Sequence, residues 1–255
     1  MSPLKLSRVF IFVAALASAF SVASLGHAQS RFTDWTSIVI AADWRDSDGQ
    51  PIEAFDNARR DLSKSFQQAG FSSSHHVSLT LNPAKPDTSS PADALRKITE
   101  VATPSATGCL FYLTSHGSPQ NIVFGNSKGI EPVDMARMLR QWCGTRPTVI
   151  VLSACYSGSF VDALRAPNRM IMTAARRDRS SFGCGAGDTY PWFDACVLES
   201  LPQSSDFLEL AHLSRACVSR REAEAEIPLP SEPQLFIGAE MQIRLPTLRF
   251  ERPAS

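Results

Sequence analysis

Two uninterrupted apolar runs constrain this chain more than any other feature: Cys109-Leu110-Phe111-Tyr112-Leu113-Thr114 and Val149-Ile150-Val151-Leu152-Ser153. Rich in β-branched and aromatic residues and without polar alternation, they read as strands buried on both faces of a parallel sheet. Each is followed by a reactive side chain: Ser115-His116-Gly117 after the first, Ala154-Cys155-Tyr156-Ser157-Gly158-Ser159 after the second. Ligands of open α/β sheets gather outside the carboxyl ends of the strands. The roughly 40 residues between His116 and Cys155 accommodate a crossover helix and a return strand, so both side chains are expected at one sheet edge.

Other segments extend the alternation. Thr36 to Ala42, His76 to Leu81, Arg169 to Ala174 and Gln234 to Gly238 read as further strands, the second of them nearer an edge. Ala54 to Ala69 carries Phe55, Ala58, Leu62, Phe66 and Ala69 at helical spacing, and Gly70 ends it. Pro91 to Val101, Glu131 to Trp142, Phe160 to Leu164, Trp192 to Leu201 and Ser205 to Ser219 read as helices, and the proline-punctuated tail after Arg244 as irregular. Strands alternating with helices predict an α/β fold, a mostly parallel sheet of about six strands with helices on both faces.

The first 28 residues stand apart. Lys5 and Arg8 precede an uncharged run from Val9 to Leu25, and Gly26-His27-Ala28 supplies the small residues of a cleavage site. We read residues 1–28 as a signal peptide, with a retained anchor as the rival, and residues 29–255 as one domain large enough for a sizeable core. The chain is then exported, to a periplasm or the outside, with no stable membrane insertion once the leader is removed. With 25 basic and 25 acidic side chains, nothing in the charge balance points to nucleic acid.

Export to an oxidising compartment governs how the six cysteines are read. None has the C-x-x-C spacing of redox or zinc sites. With Cys155 kept free and Cys109 taken as a core residue, Cys143, Cys184, Cys196 and Cys217 are left to form two disulfides of open connectivity. His75 and His76 open a strand without a further ligand cluster and are read as exposed surface, so no metal or other cofactor is expected.

A thiol beside an imidazole is the arrangement of nucleophilic catalysis: the base takes the thiol proton and later protonates the leaving group. The Gly117 and Cys155 N–H groups are placed to form an oxyanion hole. Pocket candidates come from loops at the same edge: Ser153, Ser181, Arg45 and Asp188, with Asp43 and Asp46 beside them.

Ser115-His116-Gly117 and Leu152-Ser153-Ala154-Cys155-Tyr156-Ser157-Gly158-Ser159 resemble the catalytic signatures of the legumain family of cysteine peptidases (peptidase C13). Thr173 to Cys184 is similar to that family's next strand and pocket loop, which carries Ser181. Asp56-Asn57-Ala58-Arg59 and Pro233 to Gly238 are similar to its bacterial exported members. The resemblance implies a caspase-like three-layer sandwich and peptide-bond hydrolysis, with Cys155 as nucleophile, His116 as general base and acid, and a peptide or protein as partner. Ser153 departs from the pattern, because plant and animal legumains carry an acidic residue there. A transpeptidase with the same acyl-enzyme, or a catalytically idle peptide-binding module, fits the same residues.

Overall fold

The computed structural model describes residues 30–102 and 106–251; the expected leader, residues 1–28, lies outside them. Strands β1 (Trp35–Ala41), β2 (His76–Thr80), β3 (Gly108–Thr114), β4 (Thr148–Ser153), β5 (Arg169–Thr173) and β6 (Gln234–Ile237) form one sheet in the order β2-β1-β3-β4-β5-β6. The first five are mutually parallel and β6 runs antiparallel to β5. The expected mostly parallel six-stranded sheet is therefore present, with β2 on an edge.

Among the described residues seven α-helices cover it: α1 (Ala54–Gln68), α2 (Pro91–Val101), α3 (Pro132–Cys143), α4 (Val161–Leu164), α5 (Trp192–Ser200), α6 (Phe207–Glu224) and α7 (Ala239–Arg244). Local chemistry sets several starts. Ser90 accepts the Asp93 N–H at 3.1 Å ahead of Pro91, and Asp206 accepts the Glu209 N–H at 2.9 Å, so both side chains satisfy otherwise orphaned first-turn donors.

The uninterrupted strand runs are explained by the two cores. Val39, Leu110, Tyr112, Val151 and Met172 pack on one face with Leu62 and Phe66 of α1 and Phe207 and Leu210 of α6. Ile38, Ile40, Phe111, Ile150 and Leu152 pack on the other with Ile98 of α2 and Met135, Leu139 and Trp142 of α3. Because successive side chains point to opposite faces, a strand with both faces covered needs apolar residues at every position.

Three expectations are corrected. Cys109 pairs with Cys143 and Cys196 with Cys217, both at a Cα–Cα distance of 5.6 Å, while Cys184 is free. Cys109 does face the core, but it faces the layer where α3 ends, which puts Cys143 over it. In the loop-closure account each bridge stabilises the fold by about 3–4 kcal/mol. Second, α6 runs on to Glu224, because Glu222 is buried and accepts the Ser231 N–H at 2.9 Å, fastening the following loop. The tail is also ordered: α7 and a short 3-10 turn (Leu245–Thr247) lead to Phe250, which is buried against Phe207 at 4.8 Å between ring centroids. Third, His75 and His76 are half-buried rather than exposed. The His76 Nδ1 lies 2.7 Å from the Ser37 hydroxyl, and burial, then the Arg59 charge, push its pKa down to about 4.

Candidate active site

Thr114 and Ser153 are register partners at the ends of β3 and β4, and the Ser115 N–H donates to the Ser153 carbonyl at 3.0 Å. His116 and Cys155 each lie two residues further on, so the sheet delivers them side by side at its carboxyl edge. Gly117 is required there. A Cβ at this position would lie 2.3 Å from the Cys155 carbonyl oxygen, so only glycine lets the two loops touch.

The imidazole is held from two sides. Its Nε2 lies 2.8 Å from the Arg45 main-chain carbonyl, an acceptor only, which assigns the proton to Nε2 and leaves Nδ1 with its lone pair. The Phe55 ring packs edge-on against it at 5.1 Å. The thiol is held by the loop after β5: the Ser181 N–H donates to Cys155 Sγ at 3.3 Å, and the Ser181 carbonyl and hydroxyl lie 3.5 and 3.6 Å away.

Tyr156, next in the chain, adopts φ 57° and ψ 13°, left-handed backbone that costs a non-glycine residue of order 1–2 kcal/mol. Its N–H donates to the Arg179 carbonyl at 2.8 Å, fixing the sharp turn that presents Cys155. Gly158 allows that turn to nest against the loop after β5, since a Cβ there would lie 2.6 Å from the Arg177 nitrogen. Neither the Gly117 nor the Cys155 N–H has a protein acceptor among the described residues.

The pocket candidates divide. Ser181 touches the thiol. Ser153 is 2% exposed, so it forms part of the floor rather than an open wall. The Arg45 guanidinium turns to Asp43 at 2.9 Å and stacks over Trp44 at 4.5 Å, and it is the Arg45 carbonyl that meets His116. Asp43 is buried and also accepts the Trp44 N–H at 2.8 Å, while Asp46 closes its own turn by accepting from Asp48 and Gln50. Asp188 accepts the Gly185 N–H at 2.8 Å and lines a cavity of about 330 Å³ with Trp192, Glu199 and Arg221. Among the described residues no group of His, Cys, Asp and Glu could hold a metal ion.

Asp194 is a site feature that sequence reasoning missed. It projects from α5, is wholly buried, and accepts from the Tyr112 and Thr114 hydroxyls at 2.5 Å each. One carboxyl group is thus tied to the end of the strand that carries His116, with Ser153 at the end of the Cys155 strand near enough to affect its charge. Burial raises its pKa to about 6 against the lowering effect of the three hydroxyls. A signal existed: Asp194 is the one acidic residue among Trp192, Phe193, Ala195, Cys196, Val197 and Leu198. A carboxyl group in such a stretch is expected to be buried with partners.

Cys184 completes the surroundings. It packs against Ala41, Ile52, Ala54 and Phe55, the same Phe55 that meets His116. Burial, then the neighbouring Cys155, Asp188 and Asp194, push its thiol up to about 12.

The peptidase C13 family model matches residues 102–202, a segment holding His116, Cys155, Ser181 and Asp194. No curated protein sequence matches. Among solved structures, the crystal structure of caspase-1 from Spodoptera frugiperda superposes with a TM-score of 0.60 at 14% identity, over 82% of this chain and 88% of that one. At that identity the likeness establishes the caspase-like α/β sandwich and nothing finer.

Proposed function

Because residues 102–202 match the peptidase C13 family model and the fold is caspase-like, we propose that this chain is an exported endopeptidase of the legumain-like group that cuts peptide bonds through Cys155 and His116. The observation that carries this reading is the pair of adjacent strand ends, with the Arg45 carbonyl holding the proton of Nε2 and leaving Nδ1 to act as base. In the proposed reaction His116 Nδ1 takes the Cys155 proton, and the sulfur attacks the scissile carbonyl. The Gly117 and Cys155 N–H groups, which have no protein acceptor, receive the developing oxyanion. The protonated His116 then gives its proton to the leaving amine, forming an acyl-enzyme. Water, deprotonated by His116, attacks that thioester and releases the new carboxylate and the thiol.

Ser181 is proposed to border the cleft beside the thiol, with Asp188 further out on the same loop as a substrate contact. The Arg45 side chain is committed to Asp43 and Trp44, so its contribution to substrate is assigned to orienting His116. Export rests on the leader-like residues 1–28 and is supported by the two disulfides, which suit an oxidising compartment.

The test is incubation of the mature protein, starting at Gln29, with a mixed peptide library beside Cys155→Ala and His116→Ala. We expect cleavage to fall on the order of 10⁴-fold or more in each variant. Equal cleavage by wild type and folded Cys155→Ala would overturn the assignment. Absence of cleavage together with an unreactive Cys155 would instead favour a peptide-binding module.

A further inference from the structure

The amino edge of the sheet, opposite Cys155, carries a second concentration of chemistry. There the end of α3, the end of α4 and the first residue of β5 enclose a cavity of about 370 Å³ lined by Arg140, Thr145, Arg165, Asn168 and Arg169, among others. Three guanidinium groups border it and no carboxylate does.

Arg169 is the unusual member. It is 4% exposed, yet among the described residues it has no carboxylate partner. One nitrogen, Nη1, donates to the Leu164 carbonyl at 2.7 Å, while Nε is buried with no protein acceptor. Burial, then the charge of Arg140, hold its pKa below the ordinary arginine value. Arg140 itself, on the last turn of α3, makes no ion pair among the described residues. Arg165 is partly neutralised: it pairs with Asp162 on its exposed side and lies over the Phe236 ring at 5.7 Å.

A buried cation with an unmade hydrogen bond is costly unless a counter-charge reaches it. The carbonyl ends of α3 and α4 bring only partial negative charge. Two uncompensated guanidinium groups at one cavity match a doubly charged tetrahedral oxyanion, which can accept from several forked donors at once, better than a single carboxylate. We propose that this cavity binds a small oxyanion of the phosphate class, free or as the end group of an organic phosphate. Arg169 and Arg140 are its principal charge partners and Arg165 stands at the mouth. The site lies at the opposite edge of the sheet from the carboxyl-edge cleft, with β5 and α4 running between the two.

The experiment is isothermal titration of the purified full chain with inorganic phosphate, and separately with glycerol phosphate, against chloride at equal ionic strength. Saturable binding is expected between about 0.1 and 10 mM. Arg140→Glu, an exposed change, should weaken it at least about tenfold, and Arg169→Met should abolish it. Tighter binding of the ester would assign the natural ligand to organic phosphates, and tighter binding of the free ion to inorganic phosphate. Failure of phosphate to bind beyond chloride would overturn the proposal. So would Arg140→Glu binding as tightly as wild type. If Arg169→Met does not fold, Arg140→Glu decides alone.

Discussion

The two free cysteines, Cys155 and Cys184, have opposite surroundings. Cys155 follows a strand end, on a turn tightened by the left-handed Tyr156, and receives the Ser181 N–H. Cys184 is embedded among Ala41, Ile52, Ala54 and Phe55, and its thiol is raised to about 12. A cysteine's reactivity here is set by whether donors or apolar carbon face the sulfur. Proximity to the cleft does not suffice, since the two thiols are close enough to act on each other electrostatically.

The largest expected effect is a difference in alkylation rate. At pH 7 a thiol with a pKa near 12 is ionised in about one molecule in 10⁵, so iodoacetamide should label Cys155 on the order of 10³-fold faster than Cys184. Peptide mapping after a timed pulse reads the ratio directly. Equal rates would break the contrast.

Phe55→Ala should collapse it from the other side, because the ring covers Cys184 and orients His116. Loss of this wholly buried side chain is expected to cost about 3–5 kcal/mol. In the molecules that remain folded, Cys184 labelling should rise about tenfold while peptide cleavage falls. Denaturant unfolding and labelling, measured on the same sample, separate the two consequences.

Asp194 gives the smallest and sharpest test. Its folded pKa, about 6, lies above the ordinary 3.8, so the native state holds a proton that the unfolded chain has released. That contribution is full below pH 3.8 and is lost as pH rises through 6, at most about 3 kcal/mol in all. Asp194→Asn should remove this pH dependence from the unfolding free energy measured between pH 4 and 7. It should also lower the pKa of Cys184, which feels the Asp194 charge, and reduce kcat roughly tenfold with KM little changed, because Asp194 is tied to the end of the His116 strand without reaching the substrate. A variant that unfolds uniformly at all pH values, with unaltered Cys184 labelling, would show a packing role alone.

Much of this arrangement was legible in the sequence because it is written in side-chain pattern. The β3 and β4 runs announce strands covered on both faces, and their lengths place His116 and Cys155 at one edge. What was not legible depends on partners distant in the chain. Cys109 reads as core from its own neighbours, and only the placement of α3 reveals Cys143 above it. The group that orients His116 is a main-chain carbonyl, and no residue type marks that use of Arg45. Ser153 reads as pocket lining from its distance to Cys155, whereas the fold buries it. The short α7 carries too little periodic pattern to be distinguished from an irregular tail.

The aromatic cluster that includes Phe250 bears on when the protein can fold. Phe32 lies 5.6 Å from Phe250, 4.5 Å from Phe71 and 5.7 Å from Phe207, so the beginning and end of the described chain share one core. That core is complete only once Phe250 has been synthesised. Until then Phe207 and Phe32 lack their final aromatic neighbour. Closing this core therefore joins the two ends of the described chain, a long-range contact whose loop-closure entropy must be met before it stabilises the fold.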